Sequence, residues 1–252
     1  MDGRELTWRL FMREFSARYR QSLLGIAWAL ISPMVPVSTF VLLNRAGIFA
    51  VGNTGVPYPV FALLGVTLWQ VFATGLTVCT GALTSGGAMI VKINFPKESL
   101  VMSAMGQVVF ETSVRLVLLA AMMAIYGTKP AWSAVLLPLI ILPLVMLTCG
   151  LGFILSIANL VIRDTANVVL VATTFLMFLT PVLYPAPVRG VAARIMACNP
   201  LTGLVVAARD VMFRGYLTEP RAFLWATGLS VLCLAVGWRL FHLIEFKMAE
   251  VV

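Results

Sequence analysis

Residues 132–158 read WSAVLLPLIILPLVMLTCGLGFILSIA, a run without a single Asp, Glu, Lys or Arg. A helix rises about 1.5 Å per residue, so roughly 20 residues cross a hydrocarbon layer about 30 Å thick. This run is long enough. In lipid the backbone must satisfy its own hydrogen bonds, which a helix does within one segment. The rest of the chain has the same character. Of its 252 residues 61% are hydrophobic and only 11% charged, and the mean hydropathy is +0.99. A soluble domain has about 45–50% apolar and about 25% charged residues. The composition therefore predicts an all-α membrane protein, with length for roughly six spans of about 20 residues.

Outward from the quoted run, the other spans follow from charge-poor stretches between polar turns. The first is expected near Leu23–Asn44, interrupted by Pro33 and Pro36, so a kink is expected there. A second apolar run from Tyr58 to Val91 is longer than one span needs, with Gly86-Gly87 as its weak point. The third is Leu100–Tyr126, the fourth the quoted run, the fifth Val168–Leu183 and the sixth Phe223–Ile244. The segment Tyr184–Arg221 is too rich in Pro, Gly and Arg to cross and too apolar for a free loop. Within it Leu201–Met212, after Asn199-Pro200, has the length of a re-entrant or interfacial helix. No cleavable signal peptide is expected at the N-terminus. Instead Arg4–Arg20 reads as an amphipathic helix. Trp8, Phe11, Phe15 and Tyr19 recur on one side, and Arg9, Arg13 and Arg20 lie on the other, as suits a helix in the membrane interface or packed on a partner. The domain expectation is a single unit: 1–21 interfacial helix, 22–183 spans one to five, 184–222 re-entrant outer segment, 223–252 span six and tail.

The net charge is +8. Basic residues in short loops hold those loops in the cytoplasm, and this topological reading is favoured over an anionic ligand. No compact basic domain is left for nucleic acid. Six spans put both termini inside, with Lys92, Lys97, Arg163, Arg239 and Lys247. Arg189, Arg194, Arg209, Arg214 and Arg221 then fall outside, against the rule.

Chemistry-bearing patterns are few. The four cysteines are scattered without a CxxC pair, which argues against a disulfide framework or zinc site. His242 is the only histidine. There is no GxxxxGK[ST] loop for nucleotide phosphates, no HExxH, no GxSxG and no GxGxxG, so no enzyme activity, catalytic residue, metal or cofactor is expected. One ionisable pair lies inside the third span. Glu111 and Arg115 are one turn apart and can pair, either as a pathway residue or, the favoured reading, as a buried structural pair.

The N-terminal helix runs into Arg18-Tyr19, Ser22, Leu24-Gly25, Trp28 and Pro33, a pattern that resembles the transmembrane subunits of ABC transporters that export polysaccharides: O-antigen, capsule and teichoic acid. Phe95-Pro96-Lys97 resembles that family's F-P-K element between spans two and three, and Arg163-Asp164 its R-D after span four. Thr180-Pro181-Val182-Leu183-Tyr184-Pro185 resembles the end of its span five, with Thr180 for the commoner serine, and Asn199-Pro200-Leu201 its N-P-L. The resemblance implies a homodimer in the bacterial inner membrane carrying a lipid-linked polysaccharide, most closely O-antigen. ATP and Mg would be bound by two copies of a separate ATPase subunit. It implies ATPase coupling through Lys92, Ile93, Asn94, Phe95, Pro96 and Lys97, with the apolar tips inserted in the partner. It places Arg18, Tyr19, Arg20, Ser22, Gly25 and Trp28 at the substrate entry, and Pro181, Tyr184, Pro185, Asn199 and Pro200 in the outer segment. The alternatives are a drug or lipid exporter of the same superfamily and a secondary transporter. The latter would need coupling-ion sites in repeated broken helices, and no internal repeat is visible.

Overall fold

A computed structural model describes residues 5, 7–12, 27–48, 51–52, 54–87, 95–186 and 190–245. They are helical, with no strand among them. In chain order the helices are α1 (Ala27–Arg45), α2 (Tyr58–Ser85), α3 (Glu98–Ile125), α4 (Leu137–Val161, entered through a 3₁₀ turn, Trp132–Leu136), α5 (Thr165–Phe178), α6 (Val191–Ala197), α7 (Pro200–Arg209, continued by a π turn, Asp210–Arg214) and α8 (Pro220–Glu245). Helices α2, α3 and α4 with its 3₁₀ turn, and α8, are long and apolar enough to cross a membrane. Helix α6 and the helical stretch Pro200–Arg214 bend by 91° at the break between them, the geometry of a re-entrant element or of one broken span. The described residues thus hold four or five spans where six were expected. Helix α5 has 14 residues, about 21 Å, and α1 holds the described part of the first expected span. Both prolines of α1 lie within one continuous helix, and α2 stops at Ser85 beside Gly86.

Helix α2 is the hub. Helices α3, α4, α5, α7 and α1 all pack on it, and most of its surface is buried. Apolar side chains gain little from burial when the solvent is itself hydrocarbon, so close approach of small residues does more to join the helices. A Cβ at Gly75 of α2 would stand 2.7 Å from the Thr148 methyl of α4, and one at Gly152 of α4 would stand 2.6 Å from the Cys79 Cβ of α2. Helix α8 lies outermost and meets α4 by the same device: a Cβ at Gly150 would be 2.6 Å from the Cys233 backbone, and one at Gly237 would clash with the Gly150 carbonyl. Phe153 and Phe241 fill the space beside this contact, edge to face at 5.0 Å.

Because the long helices alternate in direction, the bundle has two ends. The lower end holds the start of α3, the α4–α5 turn and the end of α8. The upper end holds the start of α2, residues 179–186, α6, α7 and the π turn.

Candidate functional site

At the upper end the sequence brings an arginine to a place where two backbone carbonyls and an aromatic ring await it. Arg209 closes α7 and is 7% exposed. Its Nη1 donates to the Pro181 carbonyl at 2.5 Å and its Nη2 to the Val182 carbonyl at 2.6 Å. The guanidinium carbon sits 3.6 Å above the centre of the Phe61 ring. Tyr58 donates to the Leu183 carbonyl at 3.0 Å, and Gly65 leaves room for the Val182 carbonyl where any Cβ would collide. A planar fork with delocalised charge suits two carbonyls and an aromatic face at once.

The outer motifs expected from sequence meet here. Asn199 caps α7 by accepting from the Leu201 N–H at 3.0 Å, and Pro200 occupies the first helical position, where no donor is missed. The Asn199 amide donates to Thr180 Oγ1 at 2.9 Å and to the Leu179 carbonyl at 3.2 Å. The Thr180 hydroxyl in turn donates to the Leu176 carbonyl at 2.8 Å. Only a hydroxyl is needed, so threonine serves as serine would. Tyr184 donates to the Phe178 carbonyl, and burial raises its phenol pKa, holding it as a donor. The π turn is fixed from three sides. Asp210 accepts from the Thr218 N–H at 2.7 Å, from the Thr218 hydroxyl, and from Arg214 Nη1 at 3.1 Å. Its carbonyls at Val211 and Met212 accept from Ser133 and from the Ala131 N–H. Gly215 closes it at φ 89°, where other residues are strained. A cavity of about 340 Å³ lies between α2, the 54–56 loop and this turn.

At the lower end, Phe95 is buried in the chain's own core while Pro96 is exposed. The ring seats this segment on its own bundle, which differs from an aromatic tip pointing into a partner. Lys92, Ile93 and Asn94 lie outside the described residues. The Lys97 N–H donates to Glu245 Oε1 at 2.7 Å and Lys97 Nζ to the Glu245 carbonyl at 2.8 Å. Glu98 accepts from the Trp238 indole N–H at 2.8 Å, with His242 Nε2 at 3.4 Å. The Arg163-Asp164 turn is held by Asn159, which is buried. Its amide N–H reaches the Thr80 carbonyl at 3.2 Å and its oxygen accepts from the Ala166 N–H at 3.2 Å.

Of the entry residues, Trp28 is half exposed on the first turn of α1. Arg18, Tyr19, Arg20, Ser22 and Gly25 lie outside the described residues, as do Phe15 and Arg13. Residues 7–12 are helical. Leu10 is their buried side chain, Phe11 packs toward Gly106 of α3, and Trp8 stacks on Phe11 while remaining exposed. Arg9 pairs with Glu5 at 2.6 Å. A cleft of about 930 Å³, mostly apolar, opens between this stretch, α3, α4 and α8. In mid-span, Glu111 and Arg115 pair at 2.9 Å with side chains 6% and 4% exposed. Among the described residues no three His, Cys, Asp or Glu side chains gather as a metal site.

Sequence reading missed Arg209, Asn159 and the Glu98–Trp238 contact. The signal for Arg209 was present: an Arg-Asp pair inside the apolar stretch Leu201–Met212. Nothing in sequence indicated that Trp238, 140 positions away, would meet Glu98.

Residues 5–213 match the family model described as "ABC-2 type transporter". The chain is 28% identical over 245 residues to the O-antigen export system permease protein RfbA of Myxococcus xanthus, covering 96% of this chain and 93% of that one. It is 26% identical over 243 residues to the protein of that name from Klebsiella pneumoniae, covering 95% and 92%. It is 22% identical over 246 residues to the polysialic acid transport protein KpsM of Escherichia coli, covering 95% and 93%. The helical bundle, its sharply bent upper element and a match running through both ends of it place this chain in the ABC-2 type transporter family.

Proposed function

We propose that the chain is the membrane-spanning subunit of an ATP-driven exporter that moves a lipid-linked polysaccharide, O-antigen, across the bacterial inner membrane. The observation that carries this reading is the end-to-end similarity to O-antigen export permeases, stronger than that to the polysialic acid transporter. A polymer needs a continuous path, and a homodimer of such subunits would line one. With no phosphate loop in the sequence, ATP and Mg are held by a separate ATPase, two copies per dimer, docked on residues 92–97.

The lower end is the cytoplasmic one, and both termini are on that side. Lys97, Arg163 and Arg239 all stand there, as the positive-inside rule prefers. Of the arginines at the upper end, Arg209 is buried against two carbonyls and a ring, and Arg214, its side chain 58% exposed, pairs with Asp210. Those two serve the fold of that end instead of marking it as cytoplasmic.

The test is deletion of the gene and complementation with it. Lipid-linked O-antigen should accumulate inside the deletion strain and vanish from the surface, and complementation should return it. A deletion strain with normal surface O-antigen and missing capsule would move the assignment to capsule. One with both polymers intact would remove polysaccharide export altogether.

A further inference from the structure

We infer that α8 is the element that receives the ATPase stroke, and that Glu98 and Trp238 are the positioning residues through which it does so. The inference rests on the reading that the segment ending at Lys97 faces the ATPase. Helix α8 is peripheral and mostly exposed, and its described side-chain hydrogen bonds to the rest of the bundle concentrate at that segment. The Glu245 carboxylate takes the Lys97 N–H and the Glu245 carbonyl takes the Lys97 ammonium. One residue on, the Glu98 carboxylate takes the Trp238 indole N–H, with His242 beside it. Two carboxylates thus stand over the first turn of α3, where the helix dipole favours them. Glu98 is only 31% exposed in its side chain, and Trp238 is half exposed two turns before the end of α8. The same helix reaches the other end of the molecule. There the start of α8 touches α7, so closely that a Cβ at Gly203 would be 2.9 Å from the Ala222 carbonyl. Helix α7 ends in Arg209, which holds residues 181–182 against α2. A displacement of Lys97 and Glu98 is therefore passed to the end of α8 by polar bonds. A stiff helix of 26 residues then carries it to the outer element by packing.

The experiment uses the complex of this chain with its ATPase, reconstituted in vesicles, and reads assembly, ATP hydrolysis and polymer exported per ATP. Glu98→Ala should assemble and hydrolyse ATP, with export per ATP reduced about tenfold, the scale of a lost charge-assisted hydrogen bond. Glu98→Gln keeps an acceptor for the indole and should stay within about twofold of wild type. If Glu98→Ala does not assemble, Trp238→Phe, which removes the N–H and keeps a ring, is judged by the same ratio. An unchanged ratio overturns the inference. So does a fall in export and hydrolysis by the same factor, the mark of a merely structural contact. A wild-type complex without ATP-dependent export would instead overturn the proposed function, whatever the variants do.

Discussion

Glu111 and Arg115 illustrate what one residue pair can mean inside a membrane. Paired at 2.9 Å and almost fully buried, they neutralise each other in mid-span. Removing one partner leaves a charge in low dielectric at a cost of about 3–5 kcal/mol, whereas an apolar pair of similar volume is often near neutral. Glu111→Ala should therefore lower the melting temperature of the purified protein sharply, and Glu111→Leu with Arg115→Met should restore most of it and export normally. A double variant that is stable yet inactive would show that the pair handles substrate. The same reasoning applies to Arg209, whose fork, ring and two carbonyls no ammonium can serve together. Arg209→Lys should melt below wild type by an amount equivalent to about 1–3 kcal/mol; equal melting would mean that the carbonyls find other donors.

At the scale of elements, the outer segment shows how two short motifs become one device. Asn199 stops the chain before α7, caps it, and ties it to the end of α5 through Thr180 and Leu179. Asn199→Asp preserves the cap acceptor and loses the amide donor; Asn199→Ala loses both. The expected order of stability is wild type, Asp, Ala, with the cap itself worth about 1 kcal/mol. Thermal melts of the three would check the order, and an alanine variant as stable as the aspartate would contradict the cap. The N-terminal segment poses a different question. On the function proposed above, its arginines anchor on headgroups, each worth about 1 kcal/mol near an anionic surface, or Arg18 and Arg20 grip the pyrophosphate of a lipid-linked sugar. Lysine serves headgroups equally but lacks the fork. The Arg18→Lys, Arg20→Lys double variant should insert and assemble normally and export less. Undiminished export would leave anchoring as the segment's whole role.

For the molecule as a whole, sidedness is the property most directly measured. Cys198 is exposed at the upper end, while Cys79 and Cys149 are buried. An impermeant maleimide added to intact spheroplasts should label native Cys198 from outside. The variant Cys198→Ser, Lys97→Cys should take label only after the membrane is opened, and the reverse pattern would invert the topology. Energy coupling is the other whole-molecule property. This chain purified alone should show no ATP turnover, and turnover should appear on adding its ATPase; turnover by the pure chain would count against a separate motor.

The sequence by itself determined the solvent. A chain with so few charges and runs such as residues 132–158 has no soluble solution, and each such run must be a helix because lipid offers its backbone no partner. It also placed the turns, and at Asn199-Pro200 the reason is local backbone chemistry, a cap followed by a proline at the first helical position. The expected six spans were less legible. Length and apolarity predict a crossing, but α5 is short, and α6 and α7 meet at 91°, as a re-entrant element or one broken span would. Whether an apolar helix crosses or turns depends on what satisfies its ends. The tertiary structure alone decided that Phe95 faces inward, that Arg209 finds carbonyls, and that Glu98 meets Trp238 from the far end of the chain. Those are contacts between segments far apart in sequence, and for Arg209 the close approach depends on Gly65. Helical periodicity along one segment carries no information about which neighbour lies against it.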